Sequence, residues 1–163
     1  MSRPAHLASL LALLALTAQP LQAAPAVVSA ISKEPLYASI IKRAGQLKAR
    51  TVRFASKASP ALLVSPAFAT YSKDIKALSD TDLKGHYDLR TRGTDSDLKC
   101  ILMGVSRDLN LKLQAITAAK TDVEVKTSLK DMSDLLSDNI EVIVTPATAD
   151  SGLDCVIEFG KGA

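Results

Sequence analysis

Residues 95–119 read DSDLKCILMGVSRDLNLKLQAITAA, and this stretch decides the fold. Leu98, Ile101, Leu102, Val105, Leu109, Leu113 and Ile116 recur at steps of three and four, which puts them all on one face of a helix with 3.6 residues per turn. So long an apolar stripe has to be covered by other elements. The spacing therefore predicts a central helix over 95–119, with the rest of the chain packed around it.

The same period recurs on both sides. Upstream, Leu36, Ile40, Ala44 and Leu47, with Tyr37 and Ile41 beside them, predict a helix over 32–49. Ser32 is placed to cap it, Glu34 lies at the positive end of its dipole, and Pro35 falls in the first turn, where its missing N–H does least harm. Val52 and Phe54 then alternate with polar neighbours, and Leu62 to Val64 sit in a connection bounded by Pro60 and Pro66. Those three apolar residues are expected to plug the core, the alternative being an exposed contact patch. Ser65 and Pro66 open a second helix, with Phe68, Tyr71, Ile75 and Leu78 on one face, that ends near Ser79. Three hydroxyl–carboxylate pairs, Ser79 with Asp82, Thr94 with Asp97 and Thr121 with Glu124, have the spacing of capping boxes. They predict helix starts at Asp80, running to Arg90, at Asp95, and at Asp122, running to Leu136.

Ser137-Asp138-Asn139 reads as a stop, and beyond it the period changes to two. Ile140, Val142 and Val144, then Leu153, Cys155, Ile157 and Phe159, predict two strands joined by a loop containing Pro, Asp and Gly. An isolated hairpin is marginal in water, so this one is expected to pack on the helices. The fold class that follows is mostly α (α+β), a compact domain of about five helices carrying a C-terminal β-hairpin.

The first residues are an address rather than structure. Arg3, the apolar run from Leu7 to Ala18, Pro20 and the Leu21-Gln22-Ala23 end have the form of a secretory signal peptide cleaved after Ala23. That leaves a short lead-in over 24–31 and one globular domain over 32–163. The apolar run is shorter than the roughly 20 residues a membrane-spanning helix needs, so no permanent anchor is expected and the product belongs in the periplasm or outside the cell. Cysteine usage agrees with an oxidising compartment: Cys100 and Cys155, the two cysteines of the chain, are not a C-x-x-C pair and are expected to form a disulfide. With one histidine left after cleavage, they do not make up the usual four-ligand zinc set.

Composition excludes several classes. With 47% hydrophobic and 23% charged residues among 163, the chain is globular rather than a disordered polyelectrolyte. Its charge is polarised along the sequence. Residues 33–57 hold seven basic side chains (Lys33, Lys42, Arg43, Lys48, Arg50, Arg53, Lys57) against Glu34, a local net of +6, whereas 131–160 hold seven acids and no Lys or Arg. One reading has the two segments neutralise each other. The other keeps them apart, so that Lys42, Arg43, Arg50 and Arg53 steer an acidic partner or give a weak attraction to anionic surfaces. Arg90 and Arg92, with Asp95, are expected to stand on a rigid corner around Gly93, and the two arginines to join Lys42, Arg43, Arg50 and Arg53 in partner binding. Nucleic acid is not an expected partner, because Phe54 is the one aromatic residue between Lys42 and Lys57 and no nucleic-acid fold signature is present.

Catalytic motifs are absent. No G-x-S-x-G motif or glycine-rich phosphate loop occurs. His86, one helical turn from Asp82 and near Asp80, is the single candidate for metal or proton-transfer chemistry. Two readings follow. The first is an exported, non-catalytic binding protein of a bacterial-type envelope without a cofactor, recognising one protein partner as inhibitors and immunity proteins do. The alternative is a small exported hydrolase or metal-dependent enzyme using His86 and Asp82.

Overall fold

The computed structural model describes residues 29–93, 96–146 and Cys155. A short 3-10 turn, Ile31–Lys33, leads into α1 (Pro35–Ala55), a single-turn α2 (Pro60–Leu63), α3 (Pro66–Arg92), α4 (Ser96–Ala118) and α5 (Asp122–Val144). The four long helices close a ring in which α1 and α4 each pack against both α3 and α5. Neighbours run antiparallel. Tyr37 early in α1 meets Gly85 late in α3, and Thr51 late in α1 meets Tyr71 early in α3. His86 meets Lys99 at the start of α4, and Lys112 near the end of α4 lies by Asp131 early in α5. The architecture is an up-down-up-down four-helix bundle, with α3 and α5 on one diagonal.

The core is built from the predicted stripes. Tyr37, Ile40, Ala44 and Leu47 of α1, Leu98, Leu102, Leu109 and Ile116 of α4, and Val125, Leu129, Met132 and Leu136 of α5 are all buried. Side chains of α1 and α4 close on Gly85 of α3, where a Cβ would lie 3.0 Å from Leu102 and 3.3 Å from Tyr37. Helix ends follow local chemistry. Ser59 and Ser65 each accept a backbone N–H, from Leu62 and Phe68, and a proline follows each cap. Thr121 and Glu124 form the capping box read from the sequence. Gly93 ends α3 in the left-handed conformation at φ 64°, where a side chain is strained.

Three expectations are corrected. First, Ser79 and Asp82 do not start a helix; α3 runs unbroken through both, because the Ser79 hydroxyl donates to Ser106 O of α4 and Asp82 turns into the core. Second, α1 continues past Ala49, since the Thr51 hydroxyl returns to Leu47 O and Phe54 packs edge-on against Tyr71. Ser32 caps nothing: it sits in the 3-10 turn, with its hydroxyl on Ser29 O.

Third, the C-terminal β-hairpin is not supported among the described residues. Its first strand, 140–144, is the last turn and more of α5, and among the described residues there is no strand. The polar stop is absorbed instead: Ser137 donates to Ser133 O, and Asn139 lies fully buried between Leu136 and Ile143 on the inner face. The second strand lies outside the described residues except for Cys155. Thr94, Asp95 and residues 1–23, the segment with the form of a signal peptide, also lie outside them. The apolar link divides, with Leu62 and Leu63 packed on the core and Val64 86% exposed.

Cys100 and Cys155 form a disulfide, with Cα atoms 5.0 Å apart and both residues buried. Among the described residues, no helix is long and apolar enough to cross a membrane. The bridge closes a loop across 55 positions, which removes about 4 kcal/mol of unfolded-state entropy. Cys100→Ser is expected to lower stability by about 2–5 kcal/mol in urea unfolding under oxidising conditions, and reductant should lower the wild type equally. Identical midpoints for oxidised and reduced wild type would refute this role of the bridge.

Candidate functional site

The polar side chains fall into two groups, one inside the bundle and one on the surface of α1 and the end of α3. The inside group is held by hydrogen bonds between helices. Ser79 of α3 and Ser106 and Asn110 of α4 form a cluster in which Asn110 Nδ2 donates to Ser79 Oγ at 2.7 Å. Thr51 Oγ1 and Tyr71 Oη lie 2.7 Å apart, and burial raises the Tyr71 phenol to about 12. His86 is 4% exposed, and its Nδ1 lies 2.7 Å from Lys99 O. A carbonyl only accepts, so Nδ1 carries the hydrogen.

Asp82 and His86 share α3 but have different partners. Asp82 is fully buried and receives Asn139 Nδ2 at 3.0 Å on Oδ2, across the diagonal from α5. The Oδ1 atoms of Asp82 and Asn139 are buried without a hydrogen-bond partner. Leaving two buried acceptors without donors is unfavourable. Burial pushes the Asp82 carboxyl up to about 8, against a weaker lowering by Asn139, so the neutral acid persists at pH 7 and brings the O–H donor that the carboxylate lacks. Asp80 is exposed, and among the described residues no three His, Cys, Asp or Glu side chains gather as metal ligands.

The surface group is the set of six basic residues assigned to partner binding. Two of them are engaged within the fold. Arg50 is ion-paired with Asp74 and stacks over the Tyr71 ring at 5.5 Å. Arg92 grips Glu34 with both Nη atoms, at 2.7 and 3.1 Å, and Asp88 at 3.1 Å, so the corner at Gly93 is folded back onto the start of α1. Arg92 holds the Glu34 carboxyl below its usual range; Asp88 is lowered first by the Tyr37 hydroxyl, which donates to it at 2.7 Å. Lys42, Arg53 and Arg90 are exposed and make no ion pair with a described residue. Arg43 makes one long bond, 3.4 Å to Thr81 Oγ1.

Beside these residues, α1 and α3 enclose a hollow of about 250 Å³ lined by Arg43, Gln46, Leu47, Arg50, Asp74 and Ala77. Arg43, Gln46 and Arg50 are spaced one and two turns apart along one flank of α1. With Asp74 neutralising Arg50, Arg43 leaves the hollow one positive charge in excess. The acidic helix α5 packs on α1, yet no ion pair joins the two among the described residues.

Sequence reading missed Asn139, Ser106 and Asn110. Asn139 alone had a signal, since it continues the inward-facing steps of three and four that run from Met132 through Leu136 to Ile143. The chain matches no family model, no curated protein and no solved structure.

Asp82 ties the fold to pH. Its pKa is about 8 folded against 3.8 for an ordinary Asp, so between those values the unfolded chain releases a proton that the native state keeps. The contribution of Asp82 to native stability is expected to be fully present below about pH 4, to fall by a few kcal/mol as pH rises to about 8, and to level off above it. Asp82→Asn, which keeps a hydrogen-bonding partner for Asn139, should flatten this slope in urea titrations; an unchanged slope would place the titration elsewhere.

Proposed function

We propose that the protein is an exported, non-catalytic binding protein of a bacterial-type envelope that recognises one protein partner through α1, in the manner of inhibitors and immunity proteins. The observation that carries this reading is the exposed basic flank of α1: Lys42 and Arg53 are free of ion pairs with described residues, and Arg43 opens onto the hollow it shares with Gln46 and Arg50. An acidic side chain of a partner entering that hollow would meet the Arg43 guanidinium and the Gln46 amide. Arg50 is already fixed by Asp74 and Tyr71, so little side-chain freedom is lost on binding. Steering by such a flank is screened by salt, which fits an encounter driven by charge.

The burial of Asp82 and His86 supports the same reading, because acid–base catalysis needs groups that touch a substrate. Export rests on the form of residues 1–23, and the disulfide is compatible with an oxidising compartment. Affinity capture from envelope extract, using the oxidised chain from Ala24 as bait, tests the reading. One protein should be retained stoichiometrically, and Lys42→Glu with Arg53→Glu should weaken its retention about tenfold at low salt, with less effect at high salt. No specific retention by a folded sample would transfer the weight to the enzyme alternative, tested next by substrate screening of wild type against His86→Gln.

A further inference from the structure

A second concave surface lies on the other flank of α1. Between the last turns of α1 and the first turns of α5 runs a groove of about 340 Å³, whose walls include Val52, Ala55, Leu129 and Ser133. It adjoins a hollow of about 250 Å³ that shares Ala55 and Lys126 with it and reaches Val123. Val52 is 54% exposed and Val123 74% exposed, although each stands on a helix whose other large aliphatic side chains are mostly covered. The groove exists because small side chains, Ala55, Thr127 and Ser133, occupy the seam where larger ones would interlock.

Its rim is basic. Lys57 and Lys126 are exposed without an ion pair to a described residue, and Lys130 pairs with Asp134 of its own helix; among the described residues, Asp122 is the one acid lining either hollow. An apolar floor between lysines is complementary to an amphipathic helix with acidic flanks. From Val123 to Ser133 the groove follows α5 for about 15 Å, or about three turns of a docked helix. Its concave form suits a ridge of side chains entering it, whereas a lipid surface is met by apolar groups that project.

We propose that this α1–α5 groove seats an acidic amphipathic helix of the partner protein, with aliphatic residues at i, i+3 or i+4, and i+7 covering Val52, Ala55 and Leu129, and its carboxylates on Lys57 and Lys126. This rests on the reading of the chain as a binding protein and names the chemistry of what is bound.

The test is selection of a displayed library of random peptides about four helical turns long on the oxidised chain, with counter-selection on a Val52→Asp, Lys126→Glu variant. Both residues are solvent-exposed, and far-UV circular dichroism checks that the variant folds; Val123→Glu serves as an independent second variant. Enriched peptides should carry spaced aliphatics flanked by Asp or Glu, shift the methyl resonances of Val52, Val123 and Leu129, and lose about tenfold in affinity on either variant. Enrichment of basic peptides, shifts confined to other helices, or no enrichment over the counter-selected variant would overturn the proposal. So would binding of phosphatidylglycerol vesicles through Val52 and Val123 with no peptide selected. An envelope protein captured equally by wild type and Val52→Asp keeps the binding reading and overturns the groove as its seat. Groove-directed peptides with no captured envelope protein support the groove and overturn the envelope-partner reading.

Discussion

The hydrogen bond from Asn139 to Asp82 crosses the diagonal of the bundle, and much of the architecture is constrained by it. Helices on a diagonal share few apolar contacts, so a directional polar bond there fixes how far α5 slides and turns relative to α3. Once Asn139 faces inward, Ile143, one turn further on, must face inward too. α5 is thereby carried through residues that alternation alone assigns to a strand. The buried acid is also a specificity device: an apolar pair would stabilise several registers, whereas an acid facing an amide is satisfied in few.

This explains why the fold was legible in some places and not in others. Stripes made purely of aliphatics, as in α4 and the first half of α5, announce their period directly. Caps whose polar groups stay outside, such as Thr121 with Glu124 or Ser65 before Pro66, are equally plain, because their hydrogen bonds are local in sequence. Ser79 carries the same letters as a cap and does something else, since its partner is Ser106, distant in the chain and adjacent only in the bundle. The residues Ile140 to Val144 are β-branched with one intervening acid, a composition in which propensity and packing disagree. Packing prevails where a core position needs filling.

The basic surface shows the same division. That α1 carries a dense positive charge is visible from composition, but which cations remain available depends on the helices beside them. Asp74 takes Arg50, and Glu34 with Asp88 takes Arg92, while Lys42 and Arg53, on the outward side, are left to solvent. The groove between α1 and α5 gave no sequence signal at all. Val52 and Val123 are ordinary members of amphipathic helices until small residues in the seam leave them uncovered.

The Cys100–Cys155 bridge has a further consequence for the chain as a covalent object. It closes a ring that contains nearly all of α4, the α4–α5 turn and the whole of α5. A peptide bond cut within that ring, for instance at the exposed Lys120 in the α4–α5 turn, leaves both pieces attached through sulfur. The nicked molecule keeps its mass apart from one added water, and the bundle keeps its helices at a high local concentration. In a compartment populated by proteases, a lesion of this kind is survivable as long as the surroundings stay oxidising.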